Sequence, residues 1–205
     1  MSFIKQVTNK PWERKGIIGP LRPVGAFPVP AEKVALSFFL VVVAVIFSLF
    51  SVSYFIRMEL SDWAPRTEPA QLWFNTGLLI ISSILFQWTR NLLKRGETRN
   101  LKTSLVGGGV FAIAFIVSQL LVWNKLRAEG ITMTSNPADS FFYLLTGLHG
   151  LHLLGGLWVW SKTTIKLLSG NAEPKDIRLS VELCTVYWHA LLVVWLVLFG
   201  ILANT

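Results

Sequence analysis

Five long apolar stretches fill most of this chain and limit its fold more than any other feature does. They cover residues 34–56, 71–88, 104–123, 141–160 and 179–202 of a 205-residue sequence. A helix rises about 1.5 Å per residue, so about 20 residues cross the roughly 30 Å of hydrocarbon in a bilayer. Because lipid offers the backbone no hydrogen-bonding partner, such stretches must be helical. The sequence therefore predicts an all-α, polytopic membrane protein with a bundle of five transmembrane helices.

The positions of the basic residues predict how this bundle is oriented. The chain has 19 lysines and arginines against 11 acidic residues, and 53% of it is hydrophobic. Fifteen of the 19 precede the first stretch or lie in the second and fourth connections; the other four are Arg57, Arg66, Lys125 and Arg127. Because cytoplasmic loops are enriched in Lys and Arg, we expect the N-terminus in the cytoplasm and the C-terminus outside. Basic residues so placed favour anionic lipid over nucleic acid as a partner.

The first 33 residues differ from the rest and are predicted to form a Pro-rich cytoplasmic arm. Five prolines lie between positions 11 and 30, and no run in this part is apolar enough for a cleavable signal peptide. The connections between the stretches are too short to hold a soluble domain. We therefore expect an N-terminal arm over 1–33 and one membrane domain over 34–205.

All three histidines lie inside the apolar stretches. His149 and His152 are three residues apart and share a face of the fourth predicted helix, and His189 lies in the fifth. With helices four and five adjacent, His152 and His189 would both lie about 15 Å from the cytoplasmic ends, where they could meet. Two interpretations stay open: ligation of copper, zinc or heme, or hydrogen bonding to the backbone, Ser, Thr or Tyr187. Hydrogen bonding is favoured, because no Cys, Asp or Glu lies at that depth.

Glu182 is the only carboxylate inside the five stretches. It lies near the start of the fifth helix, where the positive end of the helix dipole favours a negative charge. A proton-relay group and a solvated carboxylate at the level of the headgroups fit this position equally well.

The fourth helix has a clear predicted beginning and many small residues. Asn136 can cap it while Pro137 occupies the first turn, where a missing N–H costs nothing. The small residues of this stretch are Thr146, Gly147, Gly150, Gly155 and Gly156. Apolar surface gives helices little reason to associate in lipid, so small residues that let backbones approach predict close helix packing.

Three runs of residues form a pattern that can be compared with known families. Residues 140–152 read SFFYLLTGLHGLH and are followed by Gly155 and Gly156; Glu182 precedes Tyr-Trp-His at 187–189 and Val-Val-Trp at 193–195; Asn75-Thr76 precedes Ser82-Ser83. These runs resemble the S-x-F-Y-x-x-T-G-x-H-G-L-H-x-x-G-G, E-x4-Y-W-H-x3-V-V-W and N-T-x5-S-S patterns of subunit III of the heme–copper terminal oxidases. The short five-helix bacterial form is the most similar.

The resemblance implies a non-catalytic, multi-pass subunit of an aa3-type cytochrome c oxidase in the bacterial cytoplasmic (inner) membrane. Such a subunit stabilises the catalytic subunit I, works beside subunit II, binds structural phospholipid and supports proton uptake. It binds no cofactor itself, since heme a and copper belong to the partner subunits, and the complex can join a respiratory supercomplex. The implied polar constellation is His149, His152, Glu182, Tyr187 and His189; the implied packing residues are Thr146, Gly147, Gly150, Gly155, Gly156, Asn75 and Trp195.

Two departures from the family pattern and several alternatives accompany this interpretation. The resemblance places a membrane-embedded Glu at Val43 and an Asp at Leu192, and this chain has neither acid. A proton-handling role that depends on those carboxylates is therefore in doubt. The alternatives are a third subunit of a quinol oxidase, a homologue associated with nitric oxide reductase and, from another class, a histidine-ligated membrane redox enzyme. A small transporter is disfavoured, because the spans show no internal repeat.

Overall fold

The computed structural model describes residues 30–64, 70–97, 99–169 and 174–204. Most of the arm predicted over 1–33 therefore lies outside the described residues. The described residues form five helices and no strand: α1 (Ala31–Met58), α2 (Gln71–Arg95), α3 (Leu101–Ala128), α4 (Pro137–Ser169) and α5 (Pro174–Ala203). All five helices are long and apolar enough to cross a membrane. The predicted all-α bundle of five spans is confirmed.

The helices are longer than the apolar stretches that predicted them, because backbone hydrogen bonding continues until a turn residue ends it. α2 runs to Arg95 and ends at Gly96, whose φ is 72°. The N–H of Glu97 then donates to the carbonyl of Leu92 at 3.0 Å. Gly130, with φ 80°, ends the helical turn after α3 in a similar way. Glycine adopts this left-handed conformation at little cost, and the wrapped hydrogen bond satisfies carbonyls at the helix end.

Asn136 caps α4 as the sequence predicts, and it also holds the connection that follows α1. Its Oδ1 accepts the N–H of Ala138 at 3.0 Å, which satisfies one free donor of the first turn. Its Nδ2 donates to the carbonyl of Ala64 at 2.6 Å. One side chain thus starts a helix and fixes a loop that is distant in sequence.

Helices α2, α3, α4 and α5 form a ring, and α1 lies outside it. α2 packs against α3 and α5, and α4 also packs against α3 and α5, which confirms that helices four and five are adjacent. α1 packs against α4 and α5. We call the end of the bundle where α1, α3 and α5 begin the basic end, because Lys33, Lys102 and Lys175 lie there, together with Arg90 and Lys94 of α2.

α1 contacts the ring through a narrow stripe. Val43, Phe47 and Tyr54 are buried, and Leu40 and Phe50 are partly buried. Their alternating spacing of three and four residues keeps one side of a helix against its neighbours. The remaining surface of α1 is largely exposed and apolar, as expected for a helix that faces lipid or another membrane protein.

Aromatic side chains packed over glycines of α3 hold α2 and α4 close to that helix. Phe86 of α2 lies against Gly108 of α3, and the hydroxyl of Ser82 donates to the carbonyl of Gly108 at 2.7 Å. Trp160 of α4 covers Gly109, and its Nε1–H donates to the carbonyl of Leu105 at 2.8 Å. A Cβ at Gly109 would lie 2.0 Å from the Trp160 ring, which this hydrogen bond holds in place.

We expect Gly109→Ala to destabilise the protein by about 1–3 kcal/mol, because the added methyl collides with a fixed ring. Gly77→Ala is the matched control, since nothing lies within 4 Å of a Cβ there. That control should leave stability unchanged or raise it by up to about 1 kcal/mol through helix propensity. The buried Cys184, the single cysteine of the chain, provides the measurement: its reaction with a thiol dye during heating reports unfolding. Equal behaviour of the two variants would contradict the packing described.

Candidate functional site

Glu182 forms an ion cluster at the basic end. Its Oε2 lies 2.8 Å from Nζ of Lys33, and its Oε1 lies 3.2 Å from Nη2 of Arg90. Because these three residues belong to α5, α1 and α2, the cluster joins three helices at one point. The side chain of Glu182 is 28% exposed, so the cluster lies at the edge of the bundle. The sequence did not predict these two partners.

His189 lies in the contact between α5 and α2. Its Nε2 lies 3.1 Å from Oε1 of Gln87, and its Nδ1 is hydrogen bonded to the hydroxyl of Ser83. Nε2 of Gln87 in turn donates to Oδ1 of Asn91 at 3.1 Å. Since the carbonyl oxygen of Gln87 can only accept, Nε2 of His189 is the donor, and the neutral ring accepts from Ser83 at Nδ1. His189 therefore makes the kind of hydrogen bonds between helices that the sequence favoured.

His149 is fully buried in an aromatic environment. Neither ring nitrogen has a hydrogen-bonding partner in the described part of the chain. The ring centroids of Trp195, Phe115 and Phe47 lie 5.2, 6.0 and 6.4 Å from that of His149. A buried imidazole without a partner is costly, because it gives up its hydrogen bonds to water and gains none.

His152 and Tyr187 lie on the side of the bundle that α1 covers. Nδ1 of His152 donates to the carbonyl of Leu148 at 2.8 Å, within α4. The hydroxyl of Tyr187 donates to the carbonyl of His152 at 2.8 Å and so joins α5 to α4. The Tyr187 ring lies over Gly156, where a Cβ would come within 2.6 Å of it. Gly156 thus gives the close approach that the small residues predict.

The expectation that His152 and His189 could meet is wrong. Tyr187 and His189 are two residues apart on a helix and therefore point to nearly opposite sides of α5. Tyr187 reaches His152, whereas His189 faces α2. Among the described residues no group of three His, Cys, Asp or Glu side chains is placed to hold a metal ion. The three imidazoles therefore do not come together as ligands of one metal ion.

A second polar network, away from the basic end, joins α2 to α3 and α5. Nδ2 of Asn75 donates to Oε1 of Gln119 at 2.8 Å, and the hydroxyl of Ser118 donates to Oδ1 of Asn75 at 2.5 Å. Nε1 of Trp195 donates to the hydroxyl of Thr76 at 2.9 Å. Asn75 and Trp195 thus lie in helix contacts. The sequence analysis did not predict the pairing of Ser118 with Asn75. The signal that could have indicated it is the presence of amide and hydroxyl side chains inside two apolar spans.

The small residues of α4 do not all have the same role. Gly147 lies against Trp123, Gly155 is in ordinary contact with Tyr187, and Thr146 accepts a hydrogen bond from Nε1 of Trp123 at 3.2 Å. Gly150 differs from the expected close packing, since nothing lies within 4 Å of a Cβ there. It borders a groove of about 340 Å³ between α3 and α4, also lined by Phe115, Gln119 and Leu154.

The two positions where the family pattern has acids are occupied by well-packed apolar side chains. Val43 is 3% exposed, and Leu192 is partly buried against the core. Phe39, Val43 and Phe47 are spaced four apart and share a face of α1. Phe39 and Phe47 both contact the ring of His152. A carboxylate at position 43 would therefore face His152. In this chain the apolar side chain of Val43 occupies that place.

Equivalent substitutions at two histidines should have different effects on stability. We expect His149→Leu to leave the free energy of unfolding unchanged or to raise it, because an unpaired polar group is removed. His189→Leu should lower it by about 1–3 kcal/mol, because the buried Ser83 and the partly buried Gln87 lose a hydrogen-bonding partner. The reaction of Cys184 with a thiol dye during heating measures the stability of both variants. A larger loss for His149→Leu would show that His149 has a partner beyond the contacts described.

Comparison with known proteins agrees with the motif resemblance. Residues 33–203 match the family model described as cytochrome c oxidase subunit III. A probable cytochrome c oxidase subunit 3 of Mycobacterium bovis is 29% identical over 144 residues, which are 69% of this chain and 70% of that protein. A cytochrome c oxidase subunit 3 of Synechocystis is 28% identical over 160 residues, 76% of this chain and 67% of that protein.

One relative joins two subunits in its name. A heme-copper oxidase subunit I+III of Aeropyrum pernix is 24% identical over 185 residues, which are 84% of this chain and 23% of that protein. The family match covers nearly all of the five helices described above. The resemblance seen in the sequence motifs is therefore confirmed, and the chain belongs to the cytochrome c oxidase subunit III family.

Proposed function

We propose that this chain is the non-catalytic third subunit of an aa3-type cytochrome c oxidase in the aerobic respiratory chain. One observation carries the proposal: three polar side chains of the family motifs, Glu182, Tyr187 and His189, form contacts between helices. Glu182 joins three helices, Tyr187 and His189 each join two, and none of them meets a second motif carboxylate or imidazole at a common open site. Such residues stabilise a scaffold, and the redox chemistry belongs to partner subunits that hold heme a and copper.

The proposed partners are the catalytic subunit I, subunit II and phospholipid. The relative from Aeropyrum pernix, named subunit I+III, supports an association between this chain and a subunit I. For lipid, the exposed apolar surfaces of the helices suit acyl chains, and Arg and Lys at the basic end suit anionic headgroups. The distribution of basic residues supports a bacterial cytoplasmic membrane location with the N-terminus inside.

Purification of the membrane complex through a tag on this chain tests the proposal. We expect subunits I and II to co-purify in fixed ratio, with the absorption spectrum of a-type heme. The chain expressed without its partners is the control and should carry neither heme nor copper. A heme band on the isolated chain would instead support a histidine-ligated redox enzyme, and a complex without oxidase subunits would contradict the proposal directly.

Proton uptake is the part of the proposed function for which Glu182 matters most. The acids of the family pattern are absent at Val43 and Leu192, which leaves Glu182 as the only carboxylate inside the five apolar stretches. Its two oxygens face Lys33 and Arg90, an arrangement that favours a fixed, ionised anchor over a group that releases and regains protons. We propose that Glu182 supports the oxidase by holding α1, α2 and α5 together.

We expect the assembled Glu182→Gln complex to match the parent in turnover from acidic to alkaline pH, with lower thermal stability of this subunit. The amide keeps the size of the side chain but loses both ion pairs. Glu97→Gln is the control, because Glu97 is exposed just after α2 and forms no ion pair among the described residues. Oxygen consumption per heme measures turnover. A selective fall at alkaline pH, where protons are scarce, would show that Glu182 delivers protons.

A further inference from the structure

Four side chains form a continuous polar line along the contact between α2 and α5, which we call the polar seam. Asn91 lies toward the basic end, Gln87 one turn further in, and His189 with Ser83 about another turn beyond. Each member is hydrogen bonded to the next: Asn91 to Gln87 at 3.1 Å, Gln87 to His189 at 3.1 Å, and His189 to Ser83. The ion pair between Arg90 and Glu182 joins the same two helices, α2 and α5, at the basic end.

The polar seam is not covered by the rest of the chain. Ser83 is buried, but Gln87 and His189 are only partly buried and Asn91 is exposed. In the described part of the chain, Gln87 uses one of its two amide N–H groups and the amide nitrogen of Asn91 donates to nothing. These groups can therefore hydrogen bond to something outside the chain.

The depth of the seam decides what that partner is. His189 lies seven residues along α5 from Glu182. It is therefore about 10 Å deeper in the bundle than the ion cluster, within the hydrocarbon. Partly exposed amides and imidazoles at that depth are costly against acyl chains and usually face protein. The opposite face of the ring, along α3 and α4, exposes apolar side chains instead, among them Val110, Ile113 and Leu154. That face suits lipid, and the seam does not.

We infer that the polar seam is the surface through which this chain packs against transmembrane helices of the catalytic oxidase subunit. The inference rests on the proposed function and adds the location of the interface. The partner chemistry follows from the free groups. An acceptor on a partner helix, either a backbone carbonyl or a Ser, Thr, Asn or Gln oxygen, accepts from Gln87 about one turn deeper than Asn91, and a second acceptor near the surface meets Asn91. The exposed stripe of Ile80 and Ile84 on α2 and Val186 on α5 borders the seam and supplies the apolar part of the contact.

Photo-cross-linking in the native complex tests the interface. A benzophenone amino acid replaces Ile84 in one variant and Val186 in a second, so that α2 and α5 each report on the seam. Ile113 on α3 is the matched control. It is an exposed isoleucine 12 residues from the basic end of its helix, and Ile84 is 11 residues from the corresponding end of α2, so both lie about 17 Å deep. After irradiation of membranes, the cross-linked product is identified by mass spectrometry.

We expect both seam positions to cross-link to the catalytic subunit at least tenfold more than Ile113 does. Cross-links from Ile113 alone, products containing only lipid at both seam positions, or no product with the catalytic subunit at any position would each overturn the inference. Co-purification of the unsubstituted complex distinguishes a failure of the proposed interface from a failure of the proposed function. If the catalytic subunit co-purifies but the seam positions do not cross-link to it, the proposed function stands and only the interface is wrong. If it does not co-purify, both are wrong.

Discussion

The structure depends on one constraint: inside a membrane, a polar group must find its partner within protein. The backbone meets this requirement by forming five helices. The side chains meet it by pairing across helix contacts, as in Asn75 with Gln119 and Thr76 with Trp195. Because apolar surface drives helix association only weakly in lipid, these pairs and the glycines beneath Trp160 and Tyr187 determine which helices are neighbours. The ring of four helices is the result.

The sequence predicted the helices well because their cause is local. Length, hydropathy and the Asn136 cap act within a few residues, and each was visible in the chain. The partners of the polar residues were not visible, because they depend on the rotation of each helix about its axis. His152 and His189 lie at similar depths, so depth alone suggested a meeting; rotation sends them to opposite sides of α5. Gln87, Lys33 and Arg90 were missed for the same reason.

His149 shows that a motif residue does not reveal its role by its identity alone. Its imidazole is retained within the motif over 140–152, yet its surroundings are the rings of Phe47, Phe115 and Trp195. Val43, where the resemblance places an acid, lies instead on the face of α1 whose Phe39 and Phe47 contact His152. His149 thus lies within the motif without a hydrogen-bonding partner among the described residues. Motif residues in this chain are better interpreted by their contacts than by their identity.

The position of α1 outside the ring has a consequence for how the protein is made. α1 leaves the ribosome first, but its partners α4 and α5 come last, more than 75 residues later along the chain. α2 and α3, in contrast, are joined by a short connection and share an extensive contact, so they can pair as soon as both are in the membrane. α1 must then wait in lipid with its narrow stripe unpaired until synthesis is nearly complete. The packing of α1 therefore depends on contacts that are distant in sequence and is expected late in the insertion of the chain.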